Sequence, residues 1–119
     1  LVVAMGKAVV GLRDLREQSP TAGAGVLLSL RGEQPEALFI PHGVAHGFCF
    51  LTHATYLCGV SHYWDTADEL GCRYDDPQLN LAWPISHLSR AQRRGPLLSE
   101  RDQDADSLET LLAQISHLC

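Results

Sequence analysis

Residues 40–50, with the sequence IPHGVAHGFCF, contain the side chain best suited to chemistry. Their Pro-x-Gly-x-x-His pattern places His46 after a tight turn and at the start of a predicted strand. From there the imidazole can point into the mouth of a barrel and exchange a proton near neutral pH. A core histidine with its hydrogen bonds satisfied is the alternative, and it is the more common role for a single histidine beside apolar residues.

Metal binding at this segment is the less favoured reading. His42 precedes His46 by four residues. Two side chains at that spacing meet on a helix, whereas this segment is predicted to be a turn and a strand. Taken alone, Asp102 and Glu69 are typical solvated surface carboxylates.

The cysteines stand at positions 49, 58, 72 and 119 and form no Cys-x-x-Cys pair. No signal peptide is recognised at the start of the sequence. We therefore expect free, buried thiols in a cytoplasmic protein.

Short strands must position these residues. Residues 1–15 predict two strands joined by a turn, and residues 37–40 and 46–52 predict further strands. One more strand is predicted at residues 26–30. Residues 54–63 follow the 46–52 strand closely enough to predict a hairpin. Strands spaced by about 8 to 12 residues are typical of an antiparallel sandwich or barrel.

The helical period appears only near the end of the chain. There one apolar stripe predicts a helix with Ser107 or Asp106 as its cap. The stripe consists of Leu108, Leu111, Leu112, Ile115 and Leu118. Between Asp65 and Ser99 the chain is predicted to be irregular and to wrap the barrel, anchored by Trp64 and Trp83.

Composition excludes several classes of protein. The 119 residues include 14 Asp plus Glu and 9 Lys plus Arg, and the formal net charge is -5. This length fits one domain, and 45% hydrophobic with 19% charged residues is the composition of a folded chain. An acidic chain without a basic stripe disfavours nucleic acid as a partner. No apolar stretch approaches the roughly 20 residues of a membrane span.

Five stretches of sequence together resemble one enzyme family. In chain order they are LRDLREQSPTAG, IPHGVAHGF, SHYWD, YDDPQLNLAWPI and LLSERD. Their order and spacing are similar to those of the nucleotide-sugar 3,5-epimerases that convert dTDP-4-keto-6-deoxyglucose to dTDP-4-keto-rhamnose. The resemblance extends to about Asp102, and the Pro-x-Gly-x-x-His stretch also matches the second conserved motif of cupins.

The resemblance implies a mainly β fold, a cupin-type antiparallel jelly-roll barrel, incomplete at the N-terminus, with a C-terminal helix. Residues 1–119 would form a single partial cupin domain, with the barrel and wrapping loops in 1–102 and the helix in 104–118. It also implies a homodimer without metal or cofactor, acting on a dTDP-4-keto-6-deoxy sugar. The His-x-His half of a metal-binding cupin motif is missing from the sequence.

Roles for individual residues follow from the same resemblance. The implied catalytic residues are Asp102, Cys58 and Tyr56, and the implied substrate-binding residues are His46, Glu69, Arg101 and Tyr63. Asp102 matches the aspartate that pairs with the family's catalytic histidine, and Arg101 replaces the lysine beside it. That replacement keeps the charge but changes the geometry.

Two departures from the family pattern bear on activity. Cys58 stands where the family has its tyrosine acid, and Tyr56, two residues earlier, would face the same side of a strand. The family's base lies in an Arg-Gly-x-His segment that has no counterpart here. Leu1 and Val2 match the residues that follow the family's pocket lysine, so we expect an N-terminally truncated chain.

The sequence thus leaves two hypotheses open. One is a 3,5-epimerase of deoxysugar and polysaccharide biosynthesis in an incomplete and impaired form. The other is a non-catalytic cupin paralogue that binds a nucleotide sugar or has a structural role. We expect the side chains of His46, Cys58 and Tyr63 to face one cavity, and we expect the isolated chain to fold poorly or to require a partner.

Overall fold

The computed structural model describes residues 1–85 and 95–118. The strands are β1 (Val2–Met5), β2 (Lys7–Asp14), β3 (Gly25–Arg31), β4 (Val44–Phe50) and β5 (Thr55–Leu57). A short 3₁₀ turn at Thr66–Asp68 and two helices, α1 (Glu100–Gln103) and α2 (Leu108–Leu118), follow. The described chain is mainly β, as the strand pattern predicts.

The larger sheet is antiparallel, with the strand order β3-β2-β4. Val9 and Val10 on the central strand are 6% and 0% exposed, because both faces of β2 are covered. Val10 lies opposite Phe48 of β4, and Gly11 lies opposite Gly47. Since side chains alternate along a strand, Val10 and Phe48 share one face and the two glycines share the other.

The second sheet pairs β1 with β5, with Val3 opposite Tyr56. Gly6 joins β1 to β2 at a φ of 82°, a conformation that glycine adopts readily. A Cβ atom at Gly6 would collide with the carbonyl oxygen of His53. The predicted pair of short strands is confirmed, and the turn at Gly6 directs them into different sheets.

One apolar core lies against the Val10 face of the larger sheet. Its buried members are Val3, Ala8, Val10 and Leu30, and Phe48 packs against them. A second cluster consists of Leu79, Leu108 and Leu111, with Leu81 packed against it. Leu81 also contacts the position of Gly11, so the second cluster lies toward the glycine face of the sheet.

The hairpin predicted for residues 46–52 and 54–63 is wrong. β4 pairs with β2, whereas β5 pairs with β1, so the connection crosses between sheets. Leu51 N–H donates to the Lys7 carbonyl, and Lys7 N–H donates to Thr52 Oγ1, both at 3.0 Å. These bonds extend the β2–β4 pairing past the end of β4, and the chain then crosses to pair with β1. β5 has only three residues.

The strand predicted at residues 37–40 is also wrong. Only Ala37 bridges to Val2, and Leu38 exchanges two backbone hydrogen bonds of 2.8 Å with Leu1. The segment therefore touches only the start of β1. Within the described ranges, neither sheet closes into a barrel.

The C-terminal helix α2 is present and begins at Leu108. Ser107 Oγ accepts from Thr110 N–H at 3.1 Å, which confirms Ser107 as the cap. Leu108 and Leu111 are buried, Ile115 packs against them, and Leu112 is 39% exposed. The side chain of Leu118 lies outside the described residues. No helix in residues 1–85 or 95–118 is long and apolar enough to cross a bilayer.

Candidate active site

His46 lies on β4, directly behind the turn that the sequence predicts. Gly43 closes that turn at a φ of 81°. His46 is opposite Leu12 and shares a strand face with Phe48, which packs against the first core. The imidazole is therefore on the core side of the sheet, where it is accessible to solvent.

Three aromatic rings continue the His46 face. Phe48 and Tyr56 stack with centroids 5.3 Å apart, and Phe50 stacks on Tyr56 at 5.6 Å. His46 meets the ring of Phe48 edge-on at 5.8 Å. The rings pack in the offset and edge-to-face arrangements that aromatic pairs prefer. Tyr56 is 43% exposed.

The opposite face of the sheet holds Trp83. The indole lies across the Gly11–Gly47 pair, and a Cβ atom at Gly11 would lie 2.5 Å from its Cη2. Trp83 Nε1 donates to the Tyr74 carbonyl at 3.0 Å. Gly11 thus leaves room for a tryptophan from the irregular segment. Trp83 is an anchor, as the sequence predicts.

A cavity of about 1160 Å³ wraps the outer edge of β4. Residues from both faces of that strand line it, including Phe48 and Trp83. Its lining also includes predicted site residues that are far apart in the sequence. These are His46, Glu69, Arg101 and Asp102.

Glu69 is the best-defined charge in the cavity. Its carboxylate accepts from Trp64 Nε1 at 2.7 Å and from the Arg101 guanidinium. The hydrogen bond from Trp64, followed by that from Arg101, lowers the pKa of Glu69 below its ordinary value. The bond to Glu69 in turn raises the pKa of Arg101. The pair therefore presents a carboxylate and a guanidinium as fixed charges at neutral pH.

Asp102 lies in the first turn of the short helix α1. Ser99 caps this helix by accepting from Asp102 N–H at 3.2 Å, and its hydroxyl donates to Asp102 Oδ2 at 2.8 Å. Arg101 is 3.6 Å from the other Asp102 oxygen. The carboxylate is half exposed and has an accessible acceptor for a histidine or a substrate hydroxyl.

The structure does not bring Cys58 and Tyr63 to the cavity. β5 ends at Leu57, so Cys58 lies beyond the strand, and its thiol is exposed. Tyr63 is fully exposed. Neither of them is among the residues that line the cavity, and nor is Tyr56. Of the three side chains expected to face one cavity, only His46 does so.

The thiols are free at the three described cysteines, as the sequence predicts. Burial raises the pKa of Cys49 and of Cys72. Cys49 and Cys72 are only partly buried, and the expectation of buried thiols is wrong for Cys58, which is exposed just past the end of β5. Cys119 lies outside the described residues.

The described ranges offer no cluster of three or more His, Cys, Asp or Glu side chains able to hold a metal ion. His42 contacts His62 edge-on, with centroids 6.4 Å apart. It does not pair with His46, because four residues along a turn and strand do not bring two side chains together.

Phe48 and Phe50 line the cavity, although neither is predicted from sequence to belong to the site. They follow His46 by two and four residues, so the two-residue period of a strand places them on its face. The alternation of ring-bearing and smaller residues in HGFCF could have predicted this shared face. No sequence pattern predicts the hydrogen bond from Trp64 to Glu69, because that bond depends on how an irregular segment folds.

A histidine, two carboxylates and a guanidinium around one cavity of a mainly β chain are the parts of a general acid–base site. The sequence model of dTDP-4-dehydrorhamnose 3,5-epimerase matches residues 1–110. The chain belongs to this family.

Individual relatives agree with the family match. The chain is 34% identical over 100 residues to dTDP-4-dehydrorhamnose 3,5-epimerase from Salmonella typhimurium, covering 83% of this chain and 51% of that protein. It is 34% identical over 90 residues to the Shigella flexneri enzyme, covering 75% and 45%. The chain thus spans about half the length of these curated relatives.

Solved structures of epimerases superpose well. The rmlC epimerase of Mycobacterium tuberculosis matches with a TM-score of 0.80 and 31% identity, covering 95% of this chain and 55% of that one. A Legionella pneumophila epimerase in complex with dTDP-4-keto-L-rhamnose matches with a TM-score of 0.71 and 30% identity, covering 96% and 58%.

Proposed function

We propose that this chain takes part in the 3,5-epimerisation of dTDP-4-dehydro-6-deoxyglucose toward dTDP-4-dehydrorhamnose. The pathway would be deoxysugar and polysaccharide biosynthesis in the cytoplasm. The observation that carries the proposal is the Glu69–Arg101 pair, which shares one cavity with His46 and Asp102. Membership of the epimerase family supports it.

The reaction has simple requirements. A base removes the proton from the carbon beside the C4 ketone, and the electron pair moves onto the ketone oxygen to form an enolate. An acid on the opposite face then returns a proton to that carbon, and the sequence of steps occurs at C3 and at C5. A cation or hydrogen-bond donor must stabilise the enolate oxygen meanwhile.

The residues of this chain would divide these tasks. We assign substrate binding to His46, Glu69 and Arg101, because they line the cavity and offer both charges and donors. Asp102 would orient a base histidine. No Arg-Gly-x-His segment occurs in the 119 residues, so the chain has no residue matched to that base.

Tyr56 is better supported than Cys58 as the proton donor. Its ring stacks on Phe48, which meets His46 edge-on, so the phenol belongs to the His46 face. Cys58 lies beyond β5, and neither it nor Tyr56 is among the residues that line the cavity. Tyr63 would serve as a substrate contact only after a change in its exposed loop.

The fold we propose is a cupin-type jelly roll that assembles as a homodimer. The family match and the mainly β structure support the fold. Among the described residues no strand pairs with the outer edge of β4, and this edge and the exposed rings of Phe50 and Tyr56 support a need for further covering surface.

A second candidate is a non-catalytic paralogue that binds a nucleotide sugar. The observation that favours it is the exposed Cys58 at the position of the family's tyrosine acid. Both candidates require the cavity to bind the ligand, and only the first requires proton transfer.

Two measurements separate the candidates. Calorimetry with dTDP tests binding, and NMR in D₂O follows deuterium entering C3 and C5 of the keto sugar. We expect binding, with exchange at least about 10²-fold slower than for the Salmonella relative assayed in parallel, because a positioned acid or base contributes about 10² to 10⁴-fold. We expect Glu69→Gln to weaken dTDP binding and Asp75→Asn, at an exposed ion pair, to leave it unchanged.

The outcomes are distinct. Absence of dTDP binding contradicts both candidates, and binding without any exchange favours the paralogue. Efficient inversion at both carbons, without a Cys58→Tyr substitution, would show that Tyr56, Cys58 or a water replaces the acid. In that case the expected impairment is wrong.

A further inference from the structure

The DLREQSPT stretch, one part of the family resemblance, folds into a compact polar network around Asp14. The Asp14 carboxylate, only 6% exposed, accepts from Arg16 Nε at 2.8 Å and from Arg16 Nη2 at 2.7 Å. The hydroxyls of Ser19 and Thr21 donate to Oδ2 at 2.7 and 2.6 Å. The bonds from Arg16, then from Thr21, hold the pKa of Asp14 well below its usual range.

Arg16 connects this network to the turn that precedes His46. A Cβ atom at Gly43 would lie 2.5 Å from Arg16 Cγ and 3.0 Å from its Cδ. The aliphatic stem of Arg16 therefore packs directly on the backbone of the turn. Leu15 N–H also donates to the Gly43 carbonyl at 3.0 Å.

The network lies where the pairing of β2 with β4 begins. Asp14 lies opposite Val44, the first residue of β4, and Leu12 lies opposite His46. A slip of one residue in this pairing would transfer every β4 side chain to the other face of the sheet. His46 would then point toward Trp83, away from Phe48.

We propose that Arg16, held by Asp14, is a positioning residue that fixes the turn at Gly43 and thereby the face and orientation of His46. Its importance for substrate binding rests on the proposed function above. Arg16 does not line the cavity, so it acts through the turn and makes no contact with a ligand there. The bidentate bond is the geometry in which a guanidinium fixes a carboxylate most firmly.

The test begins without ligand. Arg16→Met keeps an unbranched stem over Gly43 and removes the bonds to Asp14. We expect about tenfold faster amide exchange at the start of β4, since bonds to charged groups are the stronger ones. We also expect a shifted or broadened NMR signal of the His46 ring. In Arg16→Lys, both the amide exchange and the His46 signal should lie closer to those of the wild-type chain.

Matched variants separate positioning from general loss of stability. Arg73→Met breaks an exposed Arg–Asp bond of the same bidentate type and should leave the His46 signal unchanged. Asp76→Ala removes the loop carboxylate that holds Leu108 of α2, so it lowers stability away from the turn. If Arg16→Met abolishes folding, Thr21→Val, which removes one bond to Asp14, should move the His46 signal in the same direction.

A second arm uses dTDP as the probe. Arg16→Met should weaken its binding about 5- to 10-fold, whereas Arg73→Met should not. Unchanged β4 exchange and His46 signals in Arg16→Met overturn the proposal. Equal effects from Asp76→Ala at a matched drop in Tm overturn it too. Failure of the wild-type chain to bind dTDP contradicts the proposed function and leaves the ligand-free result to decide the role of Arg16.

Discussion

Two neighbouring side chains hold the Glu69 carboxylate in the site by hydrogen bonds. By itself it is a typical surface carboxylate, but the Trp64 indole and the Arg101 guanidinium both donate to it. Because its pKa is lowered on folding, the contribution of the pair to stability is complete above the ordinary pKa of a glutamate, about 4.3, and is lost as the pH falls through the lowered pKa of the folded state. The charge pair is therefore intact at neutral pH.

The Trp64→Phe variant should raise the pKa of Glu69 toward its ordinary value, because the indole hydrogen bond is the largest cause of the lowering. Carbon-13 NMR of the carboxyl group during an acid titration measures this. Trp83→Phe is the control, since the Trp83 indole donates to the Tyr74 carbonyl. A Glu69 titration unchanged by Trp64→Phe would contradict the assignment.

At the scale of elements, the glycine on the central strand β2 determines which side chain can pack on that face of the sheet. Its Gly11 and the facing Gly47 form a smooth surface on which Trp83 lies. The two glycines differ in clearance, because Cβ atoms there would lie 2.5 Å and 3.6 Å from the indole. The first distance is a clash and the second is an ordinary van der Waals contact.

Gly11→Ala should lower the free energy of unfolding by about 1 to 3 kcal/mol, the usual cost of overpacking. Gly47→Ala should change it by less than about 1 kcal/mol, since nothing has to move. Urea denaturation of the two variants compares them directly. Equal losses would mean that Trp83 does not rest on this pair in solution.

The loop that contains Asp76 also stabilises the start of α2. Asp76 Oδ2 accepts from Leu108 N–H at 2.8 Å, and Asp76 Oδ1 accepts from Gln78 N–H at 2.8 Å. A free N–H at a helix start requires such an acceptor. The Asp-Pro pair of the sequence is thus a structural anchor, as predicted.

Asp76→Ala should lower the free energy of unfolding by about 1 to 2 kcal/mol, as loss of a helix cap does. The neighbouring Asp75→Ala removes only an exposed ion pair with Arg73 and should cost about 0.5 kcal/mol or less. Thermal unfolding followed by circular dichroism at the helix band measures both. A larger loss for Asp75→Ala would contradict the capping role.

At the scale of the whole molecule, much apolar surface is exposed for 119 residues. Met5, Phe50, Tyr56 and Leu57 near the β1–β5 sheet are 57%, 40%, 43% and 61% exposed. β4 is an edge strand of seven residues without a proline. Long apolar edges and patches of this kind favour association.

The isolated chain should therefore self-associate with rising concentration. Sedimentation velocity across a concentration series measures this, and binding of a hydrophobic dye reports the exposed patch. Leu57→Gln should reduce association, whereas Gln103→Glu, on the polar helix α1, should not. A monomer with a single cooperative thermal transition would contradict the expectation.

Several features could be predicted from sequence because they depend on neighbours along the chain. The strand at β2, the turn before His46 and the helix cap at Ser107 follow from local period and turn chemistry. The hairpin prediction was wrong because the partner of a strand depends on long-range pairing, here of β5 with β1.

The amino-acid sequence by itself determined the mainly β class, the epimerase resemblance and the residue types available for catalysis, since these depend on order and spacing. Only the tertiary structure decided which side chains meet. It brought Glu69 to Arg101 across 32 positions and left Tyr56, Cys58 and Tyr63 outside the lining of the cavity. The physical reason is that a local pattern sets a side chain's direction along its own strand, while the pairing and packing of distant segments set what that side chain faces.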